Sequence, residues 1–341
     1  MTDAAESPRP PLEQDWTAAV GALTGARSVV LACHVTPDGD ALGSMLGLAL
    51  ALRRRGVAVI PSFSEPFVVP DSLQVVPGRN LLVPPDQVPV EPDVLVTLDT
   101  GSVDRLGMLA DRVAAAGEVI VIDHHRTNTG YGSLHLVDVT AAATAVLIAD
   151  LVERLGVPLD AEIAACLYVG LSSDTGSFRH AGTTPEVHLL AARLLATGIR
   201  PDVISRSLFD SHPAQWLAML ADTIGRARVE PAEVDGLGLV WTSVLLADLL
   251  DRGLGLDQAE SVIDVVRTVR EAEVAVVCKE LSDGSWAVST RSAGRVDVGA
   301  VCVGLGGGGH RFAAGYTGHG PIDKVVDELR TALRHAPHLP G

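Results

Sequence analysis

The chain is short of positive charge. Its 341 residues carry 26 Lys and Arg against 42 Asp and Glu, a formal net charge of −16. A long duplex-binding surface needs a basic face to neutralise phosphates, so partnership with long duplex nucleic acid is not expected. A small phosphate substrate stays open, because bound divalent cations reverse the local field of an acidic site. Cysteine is also scarce: Cys33, Cys166, Cys278 and Cys302 stand far apart, with no CxxC pair. That spacing fits buried free thiols in a reducing compartment better than a disulfide framework or a cysteine zinc site. No apolar run approaches the ~18 uninterrupted residues of a membrane helix, so no membrane partner is expected. The opening MTDAAESPRPPLEQ has acids and prolines where a signal peptide needs a basic and then an apolar start. A disordered tail over 1–18 and a cytoplasmic location are expected. No internal repeat is present. At 47% hydrophobic and 20% charged, the chain has the makings of a substantial core. Its length suits two domains of roughly 100–200 residues each.

What is present is an alternation of short apolar runs and helical patterns. RSVVLACH (27–34), VAVIPSF, VLVTLD (94–99) and VIVID (119–123) read as buried strands, and DALGSMLGLALALRRRG as a helix ending at Gly56. Alternating units of this kind predict an α/β fold with a parallel sheet covered by helices on both faces. They bring loops from several strands to one edge of the sheet, where such proteins bind ligands. Residues from about 141 to 209 are mainly helical in pattern, and SHPAQWLAMLADTIGRA reads as a helical bridge. A strand-rich pattern follows, with GLGLVWTS, EVAVVCKEL and SWAVSTRS as strands and a last helix across PIDKVVDELRTALR. The expected division is 19–212, a linker over 213–230, and a smaller α/β domain over 231–336.

Three predicted strands end in metal-ligand residues. The first ends at His34 and runs into Asp38 and Asp40; the second ends at Asp99; the third ends in Asp123, His124 and His125. Singly, each has a bland explanation: PDGD is good turn chemistry, and Asp99 could cap a helix starting near Ser102. The argument for metal is their convergence on one sheet edge. Adjacent residues of extended chain point to opposite sides, so His124 can face an ion and His125 a substrate. Asp38 and Asp40 suit two ions side by side, with Asp99 the natural shared carboxylate. Mixed imidazole and carboxylate ligands favour Mn, Fe, Co or Zn over calcium.

In the second half, GLGGGGHR places Gly307, Gly308 and Gly309 before His310 and Arg311. Glycine lets a ligand approach the main chain, and consecutive amides can form an anion-binding nest. With Arg291 on a predicted strand, this stretch is expected to recognise phosphate or base. Arg126, Arg179 and His180 lie close in sequence to the acidic and imidazole residues and are further candidates for substrate contact.

HVTPDGD, LDTGS, VIDHH and SSDTGSFRH, in this order, resemble the four motifs of the DHH phosphoesterase superfamily, and GGGGHRFAAG resembles the glycine-rich motif of its DHH-associated C-terminal domain. The subgroup it resembles is the bacterial nano-RNase and adenosine bisphosphate phosphatase branch, which includes cyclic di-AMP phosphodiesterases. The resemblance implies two divalent ions, with Mn²⁺ expected and Mg²⁺ or Co²⁺ as alternatives. One would be held by His34, Asp38 and Asp99, the other by Asp40, Asp99, His124 and Asp174. It implies that Asp123 orients an imidazole and that His125 contacts the scissile phosphate or leaving group. It also implies an active-site cleft between the two domains and a homodimer. The expected activity is hydrolysis of short oligoribonucleotides, adenosine 3′,5′-bisphosphate, or cyclic di-AMP and pApA. The rival readings are an inorganic pyro- or polyphosphatase, a RecJ-like single-strand exonuclease, and a nucleotide sensor without turnover.

Overall fold

The computed structural model describes residues 10–339. Its first compact unit runs to Ser211 and the second begins at His212.

The first unit opens with a helix, α1 (Glu13–Gly25), which buries Trp16, Ala19 and Leu23 in the core. Of the tail expected over 1–18, residues 1–9 lie outside the described residues. The part from Glu13 onward is helical rather than irregular, because Trp16 has a core to enter. Then come β1 (Val29–Cys33), α2 (Gly39–Arg54), β2 (Val59–Ser62), β3 (Val94–Leu98), α3 (Arg112–Ala115), β4 (Glu118–Asp123) and β5 (Leu134–Val137). Four helices complete the unit: α4 (Thr144–Arg154), α5 (Ala161–Asp174), α6 (Pro185–Leu195) and α7 (Pro201–Phe209).

The five strands form one all-parallel sheet in the order β2-β1-β3-β4-β5. β1, β3 and the last five residues of β4 are fully buried. That explains their near-continuous Val, Leu and Ile composition, as both faces are covered. One face packs on α1, α2, α4 and α5; the other is closed by α3 and short 3₁₀ turns carrying Val88, Leu106 and Leu109. The chain goes from β1 outward to β2, then returns to place β3 on β1's other side. β1 and β3 therefore flank the topological switch point, outside whose carboxyl ends open α/β sheets leave a crevice.

α2 and α5 pack antiparallel and very closely. Gly43 faces the Cys166 carbonyl oxygen, which would lie 2.4 Å from a Cβ at that position; Gly39 faces Ser173, and Gly47 faces Leu167. These glycines, spaced four apart, make a smooth stripe along α2. They set the start of α2 against the end of α5, so that Asp40 and Asp174 become neighbours.

The second unit contains α8 (Ala214–Gly225), β6 (Arg228–Glu230), β7 (Leu239–Val244), α9 (Leu246–Leu250), α10 (Val262–Val266), β8 (Val274–Glu280), β9 (Trp286–Ser292), α11 (Val298–Gly304), β10 (Gly308–His310), β11 (Ala313–Gly318) and α12 (Ile322–Leu333). Its sheet has the order β10-β11-β9-β8-β7-β6, antiparallel except where β7 meets β8. Val274, Val276 and Cys278 of β8 pack on the side of α11 and α12, while Ala275 and Val277 pack on the side of α10, the period-two alternation of a strand buried on both faces. The 213–230 segment expected as a linker is part of this unit. Met219 of α8 is buried in the core beside Val240 and Ile263, and β6 pairs with β7. All four cysteines are free and buried. No helix among the described residues is long and apolar enough to cross a membrane.

Candidate active site

The parallel register aligns the strand ends. Cys33 lies beside Leu98, and Leu98 beside Ile122, so His34, Asp99 and Asp123 stand at the carboxyl edge of three adjacent strands. The first turn of α2 adds Asp38 and Asp40, and the end of α5 adds Asp174. With His124 and His125 directly after Asp123, the structure brings together eight residues from four motifs spread between His34 and Asp174.

Asp99 sits at the centre, with its two oxygens facing different groups. Oδ2 is 3.6 Å from His34 Nε2, which is 3.8 Å from Asp38 Oδ2. Oδ1 is 3.5 Å from His124 Nε2, which in turn is 3.0 Å from Asp174 Oδ2 and 3.8 Å from Asp40 Oδ2. Asp99 holds this pose with a left-handed backbone, φ +54°, and it caps no helix. Thr36 (φ +49°), Ser177 (+58°) and Phe178 (+64°), in neighbouring motif segments, are left-handed as well. Non-glycine residues rarely adopt this region, and such strain gathers where a site dictates direction.

Each imidazole is oriented from behind. The carbonyl oxygen of Val35 accepts from Nδ1 of His34 at 2.8 Å, and that of Ala141 from Nδ1 of His124 at 3.1 Å. A carbonyl can only accept, so Nδ1 carries a proton and Nε2 is the nitrogen turned to the carboxylates. Asp38 accepts from the N–H groups of Asp40 and Ala41 through Oδ1, leaving Oδ2 for the cluster. Asp40, fully buried, accepts from Ser44 Oγ (3.1 Å) and from the N–H groups of Thr144 (2.5 Å) and Ala145 (2.9 Å). Asp123 serves the neighbouring imidazole, His125. Its Oδ1 accepts from Nδ1 of His125 at 2.7 Å, and its Oδ2 from Asn128 Nδ2 at 2.6 Å.

The electrostatics ask for a cation. These carboxylates pair with imidazoles. Burial, and then the charges of Asp99 and Asp174, push Asp40 well above the usual carboxylate range. Burial works against charge on Asp99 too, yet the hydrogen bonds of His124 and His34 hold it well below that range. Burial likewise disfavours charge on His34, but the contacts with Asp38 and Asp99 outweigh it and carry it up to about 10. Acids and imidazoles packed in this way share protons that divalent ions would replace. The separations of 3.0–3.8 Å suit donors that each stand ~2.0–2.2 Å from a common ion. The residues present fit two ions: His34, Asp38 and Asp99 form one group, and Asp40, His124 and Asp174 another.

The remaining candidates are distributed differently. Arg126 and Arg179 are exposed, and Arg179 Nε donates to the Gly176 carbonyl. His180 Nδ1 lies 3.0 Å from the Asp174 carbonyl oxygen, so it braces the end of α5. In the second unit, His310 on β10 and Arg291 on β9 both pair with Ala313 of the strand between them, which puts both side chains on one face of the sheet. Arg311 Nε is 3.4 Å from Asp297 Oδ2. The glycine run leads into an edge strand, with Gly308 and Gly309 opening β10 and Gly307 just before it. A Cβ on Gly307 would lie 2.1 Å from the Gly315 carbonyl oxygen, and one on Gly309 2.6 Å from Ala314 Cα. Those two glycines answer to strand packing; a Cβ on Gly308 would meet nothing within 4 Å. The sequence reading missed Ser44, Ala141 and Thr144 as supports. Asn128, five residues past Asp123, was given no role either.

The DHH family, N-terminal domain model matches residues 28–171, and the DHHA1 domain model matches 242–336. A bifunctional oligoribonuclease and PAP phosphatase of Thermus thermophilus is 34% identical over 321 residues, 91% of this chain and 92% of that protein. A cyclic-di-AMP phosphodiesterase of Geobacillus thermodenitrificans is 25% identical over 91% of this chain and 47% of its own length. Among solved structures, an exopolyphosphatase-related protein from Bacteroides fragilis has the same fold, with a TM-score of 0.85 at 23% identity over 95% of this chain and 96% of that one. The chain belongs to the DHH family of phosphoesterases, hydrolases of phosphate ester bonds, and carries a DHHA1 domain.

Proposed function

We propose that the protein is a two-metal phosphoesterase of short nucleotides, cleaving oligoribonucleotides of a few residues, adenosine 3′,5′-bisphosphate to AMP, and cyclic di-AMP or pApA. The observation that carries this reading is Asp99, whose two carboxylate oxygens face two separate ligand groups. In it, His34, Asp38 and Asp99 hold one ion, while Asp40, Asp99, His124 and Asp174 hold the other, with Mn²⁺ the expected metal. When bound, such ions lower the pKa of water near the site and offset charge on the phosphoryl oxygens.

The chain's own residues do the rest. Asp123 fixes His125 with its proton on Nδ1, so that Nε2 is the atom offered to phosphate or leaving group. That is the orienting role a buried carboxylate plays behind a working imidazole. Arg291 and His310, sharing a sheet face, would bind the phosphate or base of the nucleotide, and the exposed Arg126 would add charge for it. The activities of the relatives support this substrate class, as does a net charge that disfavours long nucleic acid. Assembly as a homodimer, implied by the family resemblance, is part of the same proposal.

The test is a side-by-side turnover assay on the three substrate classes with Mn²⁺, Mg²⁺ and Co²⁺. Metal-dependent release of AMP is expected from at least one class. A folded protein that binds Mn²⁺ and leaves all three uncut would overturn the proposal.

A further inference from the structure

Residues 141–145, AAATA, contain no ionisable side chain, yet they touch three of the proposed ligands. The Ala141 carbonyl oxygen orients His124 (3.1 Å), the N–H groups of Thr144 and Ala145 hold Asp40 (2.5 and 2.9 Å), and Thr144 Oγ1 donates to Asp99 Oδ1 (3.0 Å). Thr144 is fully buried at the start of α4. We propose that Thr144 is a positioning residue for the metal centre, its hydroxyl fixing which oxygen of Asp99 turns toward the Asp40–His124–Asp174 group.

The reasoning follows from what else holds Asp99. Its other side-chain contacts are imidazole nitrogens at 3.5–3.6 Å: Nε2 of His34, Nε2 of His124 and Nδ1 of His125. Nε2 of His34 and His124 would turn lone pairs to ions, and Nδ1 of His125 is taken by Asp123. None of the three then donates to Asp99. A carboxylate's last torsion is broad and roughly two-fold, so contact with ions alone leaves its plane loosely set. The Thr144 hydroxyl, 3.0 Å from Asp99 Oδ1, would then be the neutral donor left to Asp99. Because the N–H of the same residue holds Asp40, one residue ties a ligand of one group to the ligand shared by both.

The inference rests on the two-metal reading, and its experiment separates the two. Mn²⁺ binding to metal-free protein is measured by calorimetry for the wild type, Thr144→Val and Thr144→Ser, with circular dichroism as the check on folding. Valine keeps the shape and the backbone N–H but loses the hydroxyl; serine keeps the hydroxyl. Valine is expected to weaken binding of one Mn²⁺ by about 10–100-fold, and serine to stay within about threefold of wild type. At limiting Mn²⁺ the valine variant should lose kcat with KM unchanged, and excess Mn²⁺ should restore kcat. If valine fails to fold, Thr144→Ala takes its place. Wild-type affinity in the folded valine or alanine variant, or equal losses with valine and serine, would overturn the role of Thr144. A wild-type protein that binds no Mn²⁺ would overturn the two-metal reading itself.

Discussion

Asp123 shows how much a single side chain arranges here. It is fully buried and takes hydrogen bonds from the N–H groups of His124 and His125, from His125 Nδ1 and from Asn128. Asp123→Asn would turn one of these acceptors into a donor facing a donor, leaving the tautomer of His125 unheld. We expect kcat to fall by about 10–100-fold with Mn²⁺ affinity nearly unchanged, whereas Asp99→Asn should lose Mn²⁺ binding first; calorimetry beside steady-state kinetics tells them apart. A second prediction concerns protons. Burial opposes charge on His34, but the contacts with Asp38 and Asp99 carry it to about 10, so near pH 7 the metal-free site holds a proton there. That proton must leave when an ion binds. Apparent Mn²⁺ affinity should therefore rise with pH between about 6 and 9, with net proton release visible as a buffer-dependent heat. A binding heat that is the same in every buffer would contradict this shared-proton arrangement.

Elements place these residues, and the α2–α5 contact is the tightest case. Gly43→Ala would put a Cβ 2.4 Å from the Cys166 carbonyl oxygen, so the helices must part and Asp40 must move from Asp174. Overpacking of this kind costs about 1–3 kcal/mol, to be read from a denaturation midpoint, and weaker Mn²⁺ binding should accompany it. Much of this architecture was legible in the sequence. β1, β3 and β4 announce themselves as apolar runs ending in ligands, and DALGSMLGLALALRRRG reads as a helix without effort. What escaped has physical reasons. α1 hides behind prolines, and its helix is fixed by burial of Trp16 rather than by strong periodicity. β5 is a half-buried edge strand only four residues long. β10 and β11 are built largely of glycine and alanine, which carry little strand propensity. Thr144 and Ala141 act through a hydroxyl and a carbonyl, and nothing in AAATA distinguishes those from ordinary helix-forming residues. Titratable side chains advertise a site; the groups that aim them do not.

At the scale of the molecule, the first unit gathers buried acid that ions would neutralise. Ion binding to the native state alone stabilises it by mass action, about 2.7 kcal/mol at a free concentration 100 times Kd. For a unit of this size that is roughly a 5–10 °C rise in Tm, which removal of metal by chelation should reverse. The second unit has a core of its own, so its transition is expected to respond less, and calorimetry with and without chelator would resolve the two. The left-handed backbone at Thr36, Asp99, Ser177 and Phe178 has a consequence of another kind. Each non-glycine residue held there costs on the order of 1–3 kcal/mol, which glycine would largely give back. Selection for heat resistance alone would thus drift toward glycine at these corners and erode the chemistry they aim. A lineage that keeps bulky residues there is one in which turnover has outweighed robustness.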